Sequence, residues 1–124
     1  MEQIKLYDSE LKVMELLWSE PGITAKALSL LAAGKIGWNK NTTYTIITKL
    51  VEKGVIRRVE PGFVCQPLVT REQVQGAQAR ELVDKLFDGS ARSLFSSFLT
   101  GKKLSRTEAD ELHRLIDTYS EKGE

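Results

Sequence analysis

The chain is poor in the residues that cross-link, coordinate or catalyse: it holds one cysteine and one histidine. A lone Cys65 excludes an internal disulfide and any cysteine-rich zinc site. It reads as a half-buried strand residue and not a redox sensor, because no second ligand stands near it. His113 is alone as well, and reads as a helix-face or interface histidine. No apolar run approaches the ~20 residues that span a bilayer, so no membrane insertion is expected. The opening "MEQIKLYDSE" has no basic region followed by an apolar stretch, so no secretory signal is expected and a cytoplasmic location follows. There is no glycine-rich phosphate loop, no Gly-x-Ser-x-Gly and no His-Glu-x-x-His. Without a convergent acid, base and nucleophile, the expectation is no enzyme, no metal and no cofactor.

What is present is ordinary in amount and uneven in layout. Hydrophobic content of 41% and charged content of 28% suit a soluble globular protein. A length of 124 residues suits one domain or two small subdomains. A chain this short buries a limited core, so dimerisation would help it. Net charge is only +1, yet residues 35–58 carry Lys35, Lys40, Lys49, Lys53, Arg57 and Arg58 against Glu52 alone. Residues 70–124 carry nine basic and ten acidic residues. A local cationic patch on a nearly neutral protein is the footprint of a site for a polyanion; the plainer reading is a solvated charged face.

Hydrophobic spacing divides the first half into three helices and a hairpin. "YDSELKVMELLWSEPG" places Leu11, Met14, Leu17 and Trp18 at helical spacing, with Asp8 or Ser9 as N-cap and Pro21-Gly22 as the stop. "TAKALSLLAAGK" starts at Thr24, turns Ala27, Leu28 and Leu31 inward and ends at Gly34. The third helix, within "NKNTTYTIITKLVEKG", is capped by Asn39 or Asn41 and stops at Gly54. Its inner seam is Thr43, Ile46, Ile47 and Leu50, and the opposite side is Asn41, Thr45, Thr48 and Glu52, flanked by Tyr44 and Lys49. Val55–Glu60 and Phe63–Gln66 read as strands around a type II turn at Pro61-Gly62. Three helices followed by a two-stranded wing make a winged helix-turn-helix.

The outer face of the third helix is rich in hydroxyls and edged by cations. The major groove admits one α-helix whose outer side chains meet base edges. Threonine hydroxyls can bond either base type, Asn41 can pair with adenine, and Tyr44 and Lys49 can reach phosphates or bases. β-Branched residues at 42, 43 and 45 lower helix propensity, which argues against an accidental run of threonines. Arg57 and Arg58 would supply backbone contacts, which position without specifying; surface solubility is the competing account.

Pro67–Thr70 joins a second part. It begins with a helix opened by a Thr70-x-x-Gln73 capping box and closed at Gly89. A shorter helix in "SARSLFSSFLTG" and a last one opened by Ser105-x-x-Glu108 complete it. Leu82, Leu86, Phe87, Leu94, Phe95, Phe98, Leu99, Leu104, Leu112, Leu115, Ile116 and Tyr119 are too many apolar groups for three short helices alone. A second copy of the chain is the simplest place to bury them.

"SELKVMELLW", "TAKAL", "WNKNTTYTIITKLVEKGVIRR" and "GSARSLFSSFL" together resemble the penicillinase-repressor family over about residues 6–120. The resemblance implies a homodimeric bacterial repressor of antibiotic resistance. A winged helix at residues 1–69 would bind a palindromic operator, and a helical region at 70–124 would dimerise. Positional match puts Asn41, Thr42, Tyr44, Thr45, Thr48 and Lys49 on the recognition helix; Lys40, Lys53, Arg57 and Arg58 complete the cationic set. Dimerisation falls to Leu82, Leu86, Phe87, Leu94, Phe95, Phe98, Leu112, Leu115, Ile116 and Tyr119. Several members are inactivated when a sensor-metalloprotease pathway cuts an Asn-Phe bond; the matching bond here is Ser97-Phe98, which keeps the Phe and lacks the Asn. Phe95, Phe98 and Leu99 also read as plain core packing at helical spacing. Copper-responsive members carry a C-terminal cysteine cluster that the tail "DTYSEKGE" lacks. Tyr7 stands where the family often has a Ser or Thr helix cap, and Asp8 would take over. The rival reading is a winged-helix module that docks an acidic protein partner.

Overall fold

The computed structural model describes residues 5–120. Met1–Ile4, which open the N-terminal stretch discussed above, and the last four residues of the tail lie outside it. The element order is α1 (Asp8–Ser19), α2 (Ala25–Lys35), α3 (Lys40–Glu52), β1 (Ile56–Val59), β2 (Val64–Pro67), α4 (Arg71–Phe87), α5 (Ala91–Leu99) and α6 (Arg106–Tyr119). One compact unit runs to Glu81 and a second starts at Leu82.

The first unit is the winged helix. α1 begins one residue earlier than a cap at Asp8 or Ser9 would place it. Tyr7 is the N-cap, and its N–H donates to Glu10 Oε1 at 2.9 Å. Asp8 therefore does not take over the cap; Glu10, three residues on, satisfies the orphan donor instead. Thr24 Oγ1 accepts from the Ala27 N–H at 3.1 Å and starts α2. This helix passes through Gly34 to Lys35 and turns at Gly37, whose φ is +86°. Ala27 is exposed and Leu31 half-buried; Ala25, Leu28, Ser29 and Ala32 face inward. Alanine at three nearby positions gives the periodicity little contrast, so the spacing places the inward face about one residue off. Asn39 Oδ1 accepts from the Thr42 N–H at 2.8 Å, which settles the cap of α3.

β1 and β2 pair antiparallel with Ile56 opposite Pro67 and Arg58 opposite Cys65. The link between them differs from the expected type II turn: the Glu60–Pro61 bond is cis, and Gly62 and Phe63 both have positive φ. A third segment lies along β2. The Cys65 N–H donates to Ile23 O at 2.8 Å, the Ala25 N–H donates to Phe63 O at 2.9 Å, and Thr24 bridges to Val64. With the ribbon covered on that edge, Cys65 is fully buried, not half-buried.

Val13, Met14 and Leu17 of α1, Leu28 of α2, Ile47 and Leu50 of α3, and Ile56 and Cys65 of the wing form one core. Val74 of α4 closes it at 2% exposure. The Trp18 Nε1–H donates to Val69 O at 2.9 Å, and Arg71 Nη2 meets Glu15 Oε1 at 2.7 Å. These contacts extend the unit past residue 69.

The second unit holds the end of α4 with α5 and α6. Thr70 and Gln73 form the capping box of α4, Ser90 caps α5, and Ser105 caps α6. No residue of α5 or α6 is buried. Leu86, Phe98, Leu115 and Ile116 are each more than half exposed.

Candidate nucleic-acid interface

α3 divides cleanly into two faces. Thr43, Ile46, Ile47 and Leu50 are buried, as their spacing predicts. Asn41, Thr42, Thr45, Thr48 and Lys49 are exposed, and Tyr44 is half-buried. Because Asn39 serves as the cap, the Asn41 side chain stands on the outer face. Asn41, Thr45 and Thr48 follow one another at spacings of four and three, a single row along the helix. That row offers one carboxamide and two hydroxyls, and Thr42 and Lys49 stand on the same exposed surface.

The cations do not form one patch. Neighbouring strand residues point to opposite sides, so Arg57 and Arg58 part company: Arg57 sits opposite Gln66 with both exposed, whereas Arg58 shares its side with Ile56 and Cys65. The Arg58 guanidinium lies 3.8 Å from the centroid of the Phe63 ring, and its Nε bonds Glu60 Oε2. Phe63 in turn meets Tyr44 edge-on, with centroids 6.3 Å apart and planes at 72°. Lys40 Nζ is 5.8 Å from the Tyr44 ring. Lys40, Tyr44, Phe63 and Arg58 thus form a continuous row from the start of α3 to the wing.

Lys53 is turned away from that row. Its Nζ is 2.6 Å from Glu10 Oε1, 3.0 Å from Lys5 O and 4.8 Å from the Tyr7 ring centroid. Glu10 is buried, which alone would push its carboxyl up. The Lys53 ammonium, the Tyr7 N–H and the charge of Lys49 outweigh burial and hold it below the usual carboxylate range. Lys53 is engaged within the chain, fastening the end of α3 to the start of α1.

Three residues that hold this region in place are not singled out by the sequence pattern as site residues: Glu10, Glu60 and Phe63. The Arg58 hydrogen bond and the Phe63 N–H hold the Glu60 carboxyl below its ordinary value. Burial pushes the Cys65 thiol up to about 11, so it is neutral at physiological pH. Among the described residues no group of three or more His, Cys, Asp or Glu side chains is arranged to hold a metal ion. No helix there is long and apolar enough to cross a membrane.

In the second unit, Phe95, Leu99, Leu112, Leu115 and Ile116 line an apolar groove of about 270 Å³ with His113 at its edge. Ser97 and Phe98 lie on α5 and are both exposed in the single chain.

A family model described as penicillinase repressor matches residues 6–118. The penicillinase repressor of Bacillus licheniformis is 22% identical over 117 residues, covering 93% of this chain and 91% of that protein. The methicillin resistance regulatory protein MecI of Staphylococcus aureus (strain N315) is 24% identical over 115 residues, covering 91% and 94%. The solution structure of the DNA-binding domain of the repressor BlaI superposes with a TM-score of 0.53 at 25% identity. That match covers 59% of this chain and 93% of the other.

Proposed function

We propose a function that proceeds from the chain's family: it belongs to the penicillinase repressors, whose model spans residues 6–118. The protein is a transcriptional repressor of antibiotic-resistance genes, without catalytic activity. It binds double-stranded operator DNA with α3 in the major groove. The observation that carries this reading is the division of α3: a buried seam of Thr43, Ile46, Ile47 and Leu50 behind an exposed row of Asn41, Thr45 and Thr48. These three, with Thr42 and Lys49, meet base edges. Lys40, Arg57 and Arg58 meet the phosphate backbone, and Tyr44 lies at the boundary between helix and wing. Lys53 belongs to the scaffold through its pair with Glu10.

The helices from residue 70 onward hold two copies together. Leu86, Phe95, Phe98, Leu115 and Ile116 are exposed in one chain, and their burial against a second copy is the favourable term. A two-fold dimer reads a pseudo-palindrome whose half-sites lie about one DNA turn, ~34 Å, apart. Release by a cut at Ser97-Phe98 would separate α6 from the rest of that interface.

The experiment is selection of bound duplexes from a randomised library, followed by affinity against salt. A palindromic consensus and a log–log slope of roughly −5, for about six phosphates neutralised, are expected. A slope near zero would replace DNA by an acidic protein as the partner. For release, the host is induced with a cell-wall antibiotic and the repressor followed by mass spectrometry. A fragment ending at Ser97 supports cleavage; derepression with an intact chain eliminates it.

A further inference from the structure

We infer that Phe63 is a positioning residue for DNA binding: its ring sets the Arg58 guanidinium on the wing and ties that cation to the recognition helix through Tyr44. The inference rests on the DNA-binding reading above and adds a residue that the outer face of α3 does not contain.

Phe63 is fixed by its backbone before its ring does anything. Its carbonyl accepts from the Ala25 N–H at 2.9 Å, and its N–H donates to Glu60 Oε1 at 3.2 Å. The backbone φ is +53°, an uncommon state for a non-glycine residue. Held at both ends, the ring meets two partners. One is the Arg58 guanidinium at 3.8 Å, within cation–π range. The other is Tyr44, edge-on at 6.3 Å, a geometry aromatic pairs prefer. Arg58 is about half exposed. Its Nε goes to Glu60, while the terminal nitrogens of the guanidinium fork still carry donors for an incoming acceptor.

In this arrangement the Glu60 pair leaves part of the Arg58 guanidinium free to meet DNA. A carboxylate alone would draw a flexible arginine into a local ion pair. The Phe63 ring, 3.8 Å from the guanidinium carbon, restrains its orientation, so Glu60 takes one edge and a phosphate oxygen takes the other. Because Tyr44 and Lys40 stand on the same row, the wing contact and the first turn of α3 engage the DNA backbone in one register.

The test uses the full chain and a duplex of mixed sequence, where phosphate contacts supply the affinity. Phe63→Leu keeps apolar bulk and removes the π face; Phe63→Tyr keeps the face. Phe63→Leu should flatten the log–log salt slope by about 0.9 per chain, one phosphate contact. Arg58→Ala should do the same, and the double variant should lose no more than either alone. Phe63→Tyr should retain the full slope. Melting curves confirm that the variants fold. Equal behaviour of the Leu and Tyr variants, or additive losses with Arg58→Ala, would overturn the inference by showing that Phe63 only fills space. A wild-type slope near zero would instead overturn the DNA-binding reading, so the two failures are distinguishable.

Discussion

The two units of this chain spend their apolar residues in opposite ways. In the first, Val13, Met14, Leu17, Leu28, Ile47 and Leu50 are fully buried around a seam shared by three helices and a wing. In the second, α5 and α6 bury nothing, although their sequences are as strongly patterned. Both sets of helices are properly capped, so the difference is not in local signals. It lies in what each helix meets. An amphipathic helix is stable in water only when its apolar stripe finds a partner, and the first unit supplies those partners within one chain. The second unit leaves Leu86, Phe98, Leu115 and Ile116 more than half exposed, the surface assigned above to a second copy.

Introducing charge into the second unit should break this contrast most sharply. In the symmetric dimer proposed above, Leu115→Asp would remove two leucines from the interface, about 3–6 kcal/mol in total, or roughly 10²–10⁴-fold in the dimer dissociation constant. Sedimentation should show a monomer whose first unit still melts cooperatively. A Leu115→Asp protein that remains a dimer would move the interface elsewhere.

The same contrast predicts the next effect in the first unit. Ile47, on the inner seam of α3, is completely buried. Ile47→Ala should cost about 3 kcal/mol of unfolding free energy, from lost transfer and residual cavity together. Measured by denaturant titration, a loss under 1 kcal/mol would show that the winged-helix core can collapse around the gap.

The features behind these predictions were not equally legible in the sequence. Helix order, the seam of α3 and the caps at Thr24, Thr70 and Ser105 follow from spacing and local hydrogen bonding, which reach only a few residues along the chain. Ala25 and Ala27 could not be told apart, because alanine weighs little in a hydrophobic pattern. Glu10 and Lys53 are 43 positions apart, and no periodic rule connects them. Phe63 looked like the first residue of a strand; its meeting with Tyr44 and Arg58 exists only once wing and helix are packed. Arg57 and Arg58 looked like one cationic pair, but the two-residue repeat of a strand separates them. The exposed row of α3 is legible in the sequence because its buried seam defines it by difference.

Lys53 offers a smaller test of that long-range layer. Lys53→Ala leaves Glu10 buried at 4% exposure without its ammonium, at a cost of about 2 kcal/mol near neutral pH. The sign with pH follows from the direction of the shift. Glu10 is held below its ordinary value of 4.5 in the folded chain. The pair's contribution is therefore complete above about pH 4.5 and fades as pH falls through the lower folded value. Wild type and variant should converge in stability below that window. Because Lys53 is committed to Glu10, the salt slope of DNA binding should stay unchanged; a flatter slope would return Lys53 to the phosphate-contacting set.

Cys65 should give the smallest energetic effect and probes how tightly the wing is shut. It faces the core at 0% exposure, roofed by the segment that pairs Ile23 with β2. Cys65→Ala removes one sulfur atom and should cost about 1 kcal/mol, with DNA affinity unchanged because the side chain is fully buried. The chemistry of the native thiol is more telling. Burial raises it from 9.0 to about 11, so near pH 8 the reactive thiolate falls from roughly one molecule in ten to one in a thousand. Alkylation of the folded protein should thus run at least ~100-fold slower than in denaturant, and more slowly still because the sulfur is covered. Labelling at the unfolded rate would mean that β2 peels from residues 22–24 in the native state. The wing would then be a hinged flap, and Phe63, whose carbonyl is held by the same edge through Ala25, could not keep Arg58 in register.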